Sequence, residues 1–229
     1  MNVEDKERNK YERMWSFPQY RGWSPGFDAA PVAYRTMQCK EGETLIDMGC
    51  GTGRAGTYFA DRGLDVTLVD FVTTAVEVNY LPFVNACLWS LSEELRADYT
   101  FCADVMEHIP PDYVERTLDC IERATLNKCF FQIATGRDSC GELIGEALHL
   151  TVEPDAYWRR LLVARFDLID ASLIRSKRAT SRRRQYASGS TVRCSASPIS
   201  SPQLSRPVAI WKKHLLSVAR SMQSRVRST

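Results

Sequence analysis

The sequence predicts an α/β protein built on a doubly wound, mostly parallel sheet, preceded by a helical and aromatic segment. Three observations predict it. Short apolar runs alternate with helix-period patterns from residue 44 to 174, and such alternation implies parallel strands with helices on both faces. The run "LIDMGCGTGRAG" (45–56) passes directly from an apolar strand into a glycine-rich turn and a helix. That arrangement builds a ligand site at the carboxyl edge of such a sheet. The run "KCFFQIAT" (128–135) is apolar without alternation, as a strand buried on both faces should be.

Taken in order, "TLIDMG" is the first strand, and "RAGTYFADRG" is a short helix with Ala55 and Phe59 inward, stopped by Gly63. "DVTLVD" is a second strand ending in Asp70, "FVNACLW" a third and "ADYTFCAD" a fourth. "IPPDYVERTLDCIERAT" opens with prolines suited to a first helical turn and sets Val114, Leu118 and Ile121 on one face. After the fifth strand, "EPDAYWRRLLVAR" reads as a helix and "FDLIDASLI" as a sixth strand. Three regions result: an N-terminal segment (1–40) carrying Tyr11, Trp15, Phe17, Tyr20 and Trp23, a ligand-binding core (41–174), and a basic tail (175–229). Residues 175–207 are rich in Ser and Arg, so disorder is expected there. Residues 208–226 place Trp211, Leu215, Met222 and Val226 near one helical face.

Charge is divided unevenly. Residues 171–229 hold 13 of the 30 Lys and Arg residues and none of the 28 Asp and Glu residues. The first 170 residues therefore carry 17 basic against 28 acidic side chains, a net charge of −11. Any grip on nucleic acid or an anionic membrane must come from the tail. None of the eight cysteines is separated from another by only two residues, and His108, His149 and His214 are scattered. A zinc site of close Cys or His pairs is not expected, and no metal is assigned. The N-terminus is too charged for a signal peptide and no apolar run approaches membrane-spanning length. The expectation is a reduced, cytoplasmic protein.

Two glycine frames overlap in the first turn. Gly51-x-Gly53-x-x-Gly56 fits a dinucleotide site, and Asp47-x-Gly49-x-Gly51-x-Gly53 fits a site for S-adenosylmethionine. Asp70, at the end of the second strand, suits the ribose hydroxyls in either frame. Three features favour the second frame. Asp47 would complement the ammonium and sulfonium of S-adenosylmethionine, directly or through water, "ADVMEHIPP" (103–111) places polar groups after the fourth strand, and no nicotinamide-pocket signature follows.

"LIDMGCGTG", "VTLVD" and "ADYTFCADVMEHIPP" together resemble motifs of the class I S-adenosylmethionine-dependent methyltransferases, which have a Rossmann-like fold. The likeness is closest to the branch with "D-x-x-E-H-I/L-P" after strand four. "FFQIATGRDSCGELIGEALHLTVEPDAYW" and "YERMWSFPQYRGWSPG" also resemble phage-encoded members. The resemblance implies that Asp47, Gly49, Gly51 and Gly53 border the methionine moiety, with Cys50 counted in the same cofactor-binding turn, that Asp70 binds the ribose and that Phe71 flanks the adenine. It further implies that Cys87 and Leu88 line the adenine edge, and that Asp104 and Val105 lie beside the transferred methyl. Many relatives carry an Asp near Cys87, which this chain lacks.

His108, with Glu107 beside it, is the first candidate general base, and His149 the second; each also reads as a structural loop residue. Cys50 reads as a small space-filler inside the turn. The N-terminal aromatics form either a lid, with Arg21 paired to the cofactor carboxylate and Tyr11 or Trp15 over it, or ordinary packing of a helix on the sheet. No Asn/Asp-Pro-Pro-aromatic motif and no Pro-Cys dipeptide is present, which demotes DNA-base methylation. A small-molecule or sugar acceptor is expected, methylated on oxygen or nitrogen. A nucleic-acid methyltransferase or binding protein using the basic tail, an NAD-dependent oxidoreductase and a non-catalytic partner subunit are the alternatives. The sequence assigns no oligomeric state.

Overall fold

A computed structural model describes residues 2–22, 25–175 and 190–199. Trp23, most of the basic tail and the amphipathic segment 208–226 lie outside the described residues. Helices α1 (Val3–Trp15), α2 (Pro18–Arg21) and α3 (Pro25–Met37) come first. The core follows as β1 (Thr44–Met48), α4 (Arg54–Ala60), β2 (Asp65–Asp70), β3 (Phe83–Asn85), β4 (Ala97–Ala103), α5 (Val114–Ala124), β5 (Thr125–Ala134), α6 (Asp155–Val163), β6 (Phe166–Arg175) and β7 (Ser190–Pro198).

The seven strands form one sheet in the order β3-β2-β1-β4-β5-β7-β6. Strands β3, β2, β1, β4 and β5 pair in parallel, whereas β7 runs antiparallel to both β5 and β6. Alternation along each strand divides the core between two faces. Leu45, Leu68, Phe101 and Phe130 pack with Phe59 of α4 and Met37 of α3. Ile46, Met48, Cys102 and Phe131 pack with Leu118 and Ile121 of α5 and Trp158 of α6. The expected inward face of α5 is correct: Val114, Leu118 and Ile121 are fully buried.

Strand β7 corrects two expectations. It lies inside the stretch expected to be disordered, so residue 174 is not the end of the sheet, and it separates β5 from β6. Its sequence, "STVRCSASP", has no apolar run, yet Val192, Cys194, Ser195 and Ala196 are all buried. Small side chains suffice because the strand is flanked by a neighbour on both edges.

The N-terminal segment is helical, as expected. Asn2 caps α1 by accepting the Asp5 backbone N–H at 2.8 Å. Tyr11 and Met14 of α1 pack with Val72, Ala75 and Leu148, seating the helix over loops at the carboxyl edge of the sheet. All eight cysteines are buried as thiols. Among the described residues no helix is long and apolar enough to cross a membrane.

Candidate active site

The turn between β1 and α4 is held by the second strand. The N–H groups of Gly49 and Cys50 donate to the Val69 carbonyl at 2.8 and 3.0 Å. Gly49 has φ +72°, and a Cβ there would stand 2.6 Å from Val105 Cγ2. Gly51 has φ +51°, and its Cβ would meet the Trp15 ring at 3.0 Å. Bare backbone is therefore required at both positions. Asp70 fixes the turn from the side: its Oδ2 accepts the Gly51 N–H and its Oδ1 the Val72 N–H, each at 2.9 Å. Burial raises the Asp70 pKa, and the bonds from backbone N–H groups oppose the rise.

A cavity of about 100 Å³ opens against this turn. Its walls include Gly49, Gly51, Asp70, Phe71, Cys87 and Leu88 on one side and Asp104, Val105 and His108 on another. Glu7, Tyr11 and Trp15 of α1 and Tyr20 of α2 complete it. Ala86, Trp89 and Ile109 also line it; sequence reasoning passed over them, although Trp89 directly follows two residues it selected. Gly53 and Cys50 are not on the walls. Gly53 starts α4 against Leu68 and Val78, and Cys50 is a buried filler, as expected of it.

Asp104 adopts a left-handed backbone, φ +55°, a conformation uncommon for a residue with a Cβ. Its N–H donates to the Gln132 carbonyl at 2.7 Å, and the Gln132 amide donates to its carboxylate. Gln132 in turn accepts from Arg193 on β7. Burial lifts the Asp104 pKa to about 6, opposed by the bond from Gln132 and by the Arg193 charge. Gln132, one strand away, and Arg193, two strands away, thus orient a cavity carboxylate.

Asp47 corrects the sequence reading. It shares a strand face with Leu45, opposite Met48, so its side chain points beneath the turn toward α4 rather than into the cavity. The Gly56 N–H bonds to its carboxylate, and its Oδ2 has no hydrogen-bond partner. Burial, reinforced by the Asp70 charge, raises its pKa to about 7.

The methyltransferase domain profile matches residues 28–162. The chain belongs to the class I S-adenosylmethionine-dependent methyltransferases. Among curated proteins it is 30% identical, over 131 residues, to the ubiquinone biosynthesis O-methyltransferase of Alkalilimnicola ehrlichii, a match covering 48% of this chain and about half (51%) of that protein. Among solved structures it is similar to the N-methyltransferase NodS from Bradyrhizobium japonicum, in complex with S-adenosylhomocysteine, with TM-score 0.62, 11% identity and coverage of 84% and 98%. It is also similar to the 1,6-didemethyltoxoflavin-N1-methyltransferase of Burkholderia thailandensis, with TM-score 0.58, 18% identity and coverage of 76% and 78%. At these identities the structural likenesses concern the fold.

Gly56 lets α4 approach the sheet: a Cβ there would lie 2.4 Å from Leu68. Arg21 departs from its expected place. It donates to the carbonyls of Trp15 at 2.9 Å and Thr74 at 3.0 Å and pairs with Glu77 at 3.3 Å. Its guanidinium thereby ties α2 to the loop after β2 and lies off the cavity wall.

The candidate bases gather at the far end. His108 Nδ1 meets the Tyr11 hydroxyl at 2.6 Å and the Leu148 carbonyl at 3.1 Å. Burial, with His149 adding to it, pushes the His108 pKa down to about 3. The imidazole is therefore neutral and, in this arrangement, a weak base. Glu107 is fully buried beneath it, with Oε1 accepting the Ala134 N–H at 3.1 Å. Burial and the Asp104 charge raise its pKa well above the usual range. His149 stands edge-on to His108, ring centres 4.7 Å apart, and its Nδ1 meets the Gly136 carbonyl at 2.6 Å. His149 lines a second, more open cavity of about 660 Å³, with Arg137, Asp138 and Glu153.

Proposed function

We propose that the protein transfers the methyl group of S-adenosylmethionine to an oxygen or nitrogen of a small-molecule acceptor. The observation that carries this is the turn that Asp70 clamps onto Gly51 beside a cavity walled by Phe71, Leu88, Asp104 and Val105. The residues fit the cofactor. Gly49 and Gly51 leave a cradle that a Cβ would fill. Each Asp70 oxygen accepts one backbone N–H and retains capacity for a second donor, such as a ribose hydroxyl. Phe71, Leu88 and Trp89 offer apolar walls to an adenine.

When bound, S-adenosylmethionine supplies a methyl carbon on a sulfonium that is already an activated leaving group. The chain's own contribution is then positioning, which supplies roughly 7–11 kcal/mol in favourable systems. Asp104 and Val105, set by the left-handed backbone after β4, shape the reacting end. Tyr11, Trp15 and Tyr20 cover the cavity and exclude water. Ligand pockets usually measure ~300–1,000 Å³, so a cavity of about 100 Å³ must widen to take the cofactor. Helices α1 and α2 act as a lid that moves aside for entry.

A small acceptor is supported by the second cavity at His149, which is of ligand size, and by the curated relative, named as an O-methyltransferase of ubiquinone biosynthesis. The test is incubation of the full chain with methyl-labelled S-adenosylmethionine and separate pools of phenols, sugars, amines and RNA. Label in a small-molecule pool is expected. Label confined to RNA would assign the acceptor to nucleic acid and the grip to the basic tail.

A further inference from the structure

Between the two cavities stands a cluster that methyl transfer does not by itself require. Glu107, His108 and His149 each offer one ligand atom, and these atoms lie within 4.8 Å of one another. His108 lines the first cavity and His149 the second, so the cluster forms the wall between them. Each histidine meets a backbone carbonyl through Nδ1: Leu148 for one, Gly136 for the other. A carbonyl oxygen only accepts, so in a neutral His149 ring the proton sits on Nδ1 and Nε2 keeps its lone pair. His108 Nδ1 also faces the Tyr11 hydroxyl at 2.6 Å, and with that hydroxyl donating to the Leu148 carbonyl at 3.3 Å the same tautomer holds there. A histidine anchored through one nitrogen to a carbonyl, with the other bare, is the arrangement in which metal-ligating imidazoles are held. The third member adds an independent observation. Glu107 is completely buried, and while Oε1 takes the Ala134 N–H, Oε2 has no hydrogen-bond partner. A buried polar atom without a partner is destabilising.

We propose that Glu107, His108 and His149 form a binding site for one divalent cation of the Mn²⁺ or Zn²⁺ type, with its remaining coordination positions open to the space between the cavities. Two nitrogens and one carboxylate oxygen suit such ions. Metal–ligand bonds of roughly 2.0–2.2 Å set tetrahedral ligand atoms about 3.4 Å apart, so the cluster draws in by about an ångström when loaded. His149, on a loop and only half buried, supplies that movement. A further consequence rests on the methyl-transfer reading above. A cation at this wall binds the acceptor's hydroxyl oxygen and lowers its pKa, the hydroxyl proton leaving to solvent, and it selects hydroxyl acceptors over amines.

The experiment uses the full chain stripped with a chelator and titrated with Mn²⁺, the free aquo ion being counted by electron paramagnetic resonance. Mn²⁺ is chosen because it disfavours the thiols that would complicate Zn²⁺. One Mn²⁺ per chain is expected. Glu107→Gln and His149→Ala should each weaken binding by roughly tenfold or more, while S-adenosylhomocysteine titrations of the same variants confirm that the fold and the donor site persist. No Mn²⁺ uptake by a chain that binds S-adenosylhomocysteine overturns the cation site alone. Uptake undiminished in both variants overturns it by placing the ion elsewhere. Mn²⁺ uptake that both substitutions abolish, in a chain that ignores S-adenosylhomocysteine, would uphold the cation site and count against methyl transfer.

Discussion

Asp47 gives the sharpest physical test, because its environment fixes both the sign and the size of an effect. Burial holds its native pKa at about 7, against an ordinary value of 3.8. Between about pH 4 and pH 7 the native state keeps a proton that the unfolded chain releases. The native state then binds more protons, so stability falls as pH rises through that window. The difference of roughly three units, at about 1.36 kcal/mol each, amounts to about 4 kcal/mol lost by pH 8. Asp47→Asn removes the titration while keeping an oxygen for the Gly56 N–H. Its amide NH₂ replaces an Oδ2 that has no partner, a cost of ~1–3 kcal/mol that does not vary with pH. The readout is therefore the slope. Urea unfolding of both chains from pH 4 to pH 8 should show the variant gaining on the wild type by several kcal/mol, nearly all of it by pH 7. A pH-independent difference would refute the reasoning. A variant that lost ground as pH rose would show that Asp47 is an ionised partner of a cationic group.

Three further outcomes follow from the cavity, with one control away from it. Asp70→Asn deprives either the Gly51 or the Val72 N–H of a charged acceptor, worth about 1.5–3 kcal/mol, and should weaken S-adenosylhomocysteine binding roughly ten- to a hundredfold by calorimetry. Gly49→Ala combines a left-handed backbone with a Cβ 2.6 Å from Val105 and should cost tenfold or more in the same titration. Gly42→Ala, at φ +81° with nothing within 4 Å of the new Cβ, carries the strain alone and should leave binding intact. Trp15→Ala removes the ring over Gly51; stopped-flow fluorescence displacement should show faster S-adenosylhomocysteine release if α1 is a lid and no change if it is fixed packing.

Much of the fold was legible because its core elements carry strong patterns. The apolar run of β5, the single apolar face of α5 and the glycine turn after β1 each announce their type locally. Strand β7 does not, since Ser, Thr, Arg and Cys suffice where neighbours on both edges provide the hydrogen bonds and the burial. That omission also hid part of the site, because Arg193 of β7 reaches Asp104 only through Gln132. Asp47 was legible as a motif residue but not in its direction. The alternation of β1 puts it with Leu45 under the turn, and a spacing pattern cannot say which face the cofactor will occupy. Arg21 was misplaced for a different reason: its partners are backbone carbonyls of Trp15 and Thr74, which leave no trace in a sequence. His149 was read as a separate candidate from His108, and only the folded loop brings their rings to 4.7 Å.

The most direct measurement is parallel calorimetric titration of the full chain with S-adenosylhomocysteine and with NAD. One-to-one binding of the adenosyl compound, weakened by Asp70→Asn, with no heat from NAD, is the expected result. Binding of NAD without S-adenosylhomocysteine would contradict the assignment of this glycine turn to methyl transfer.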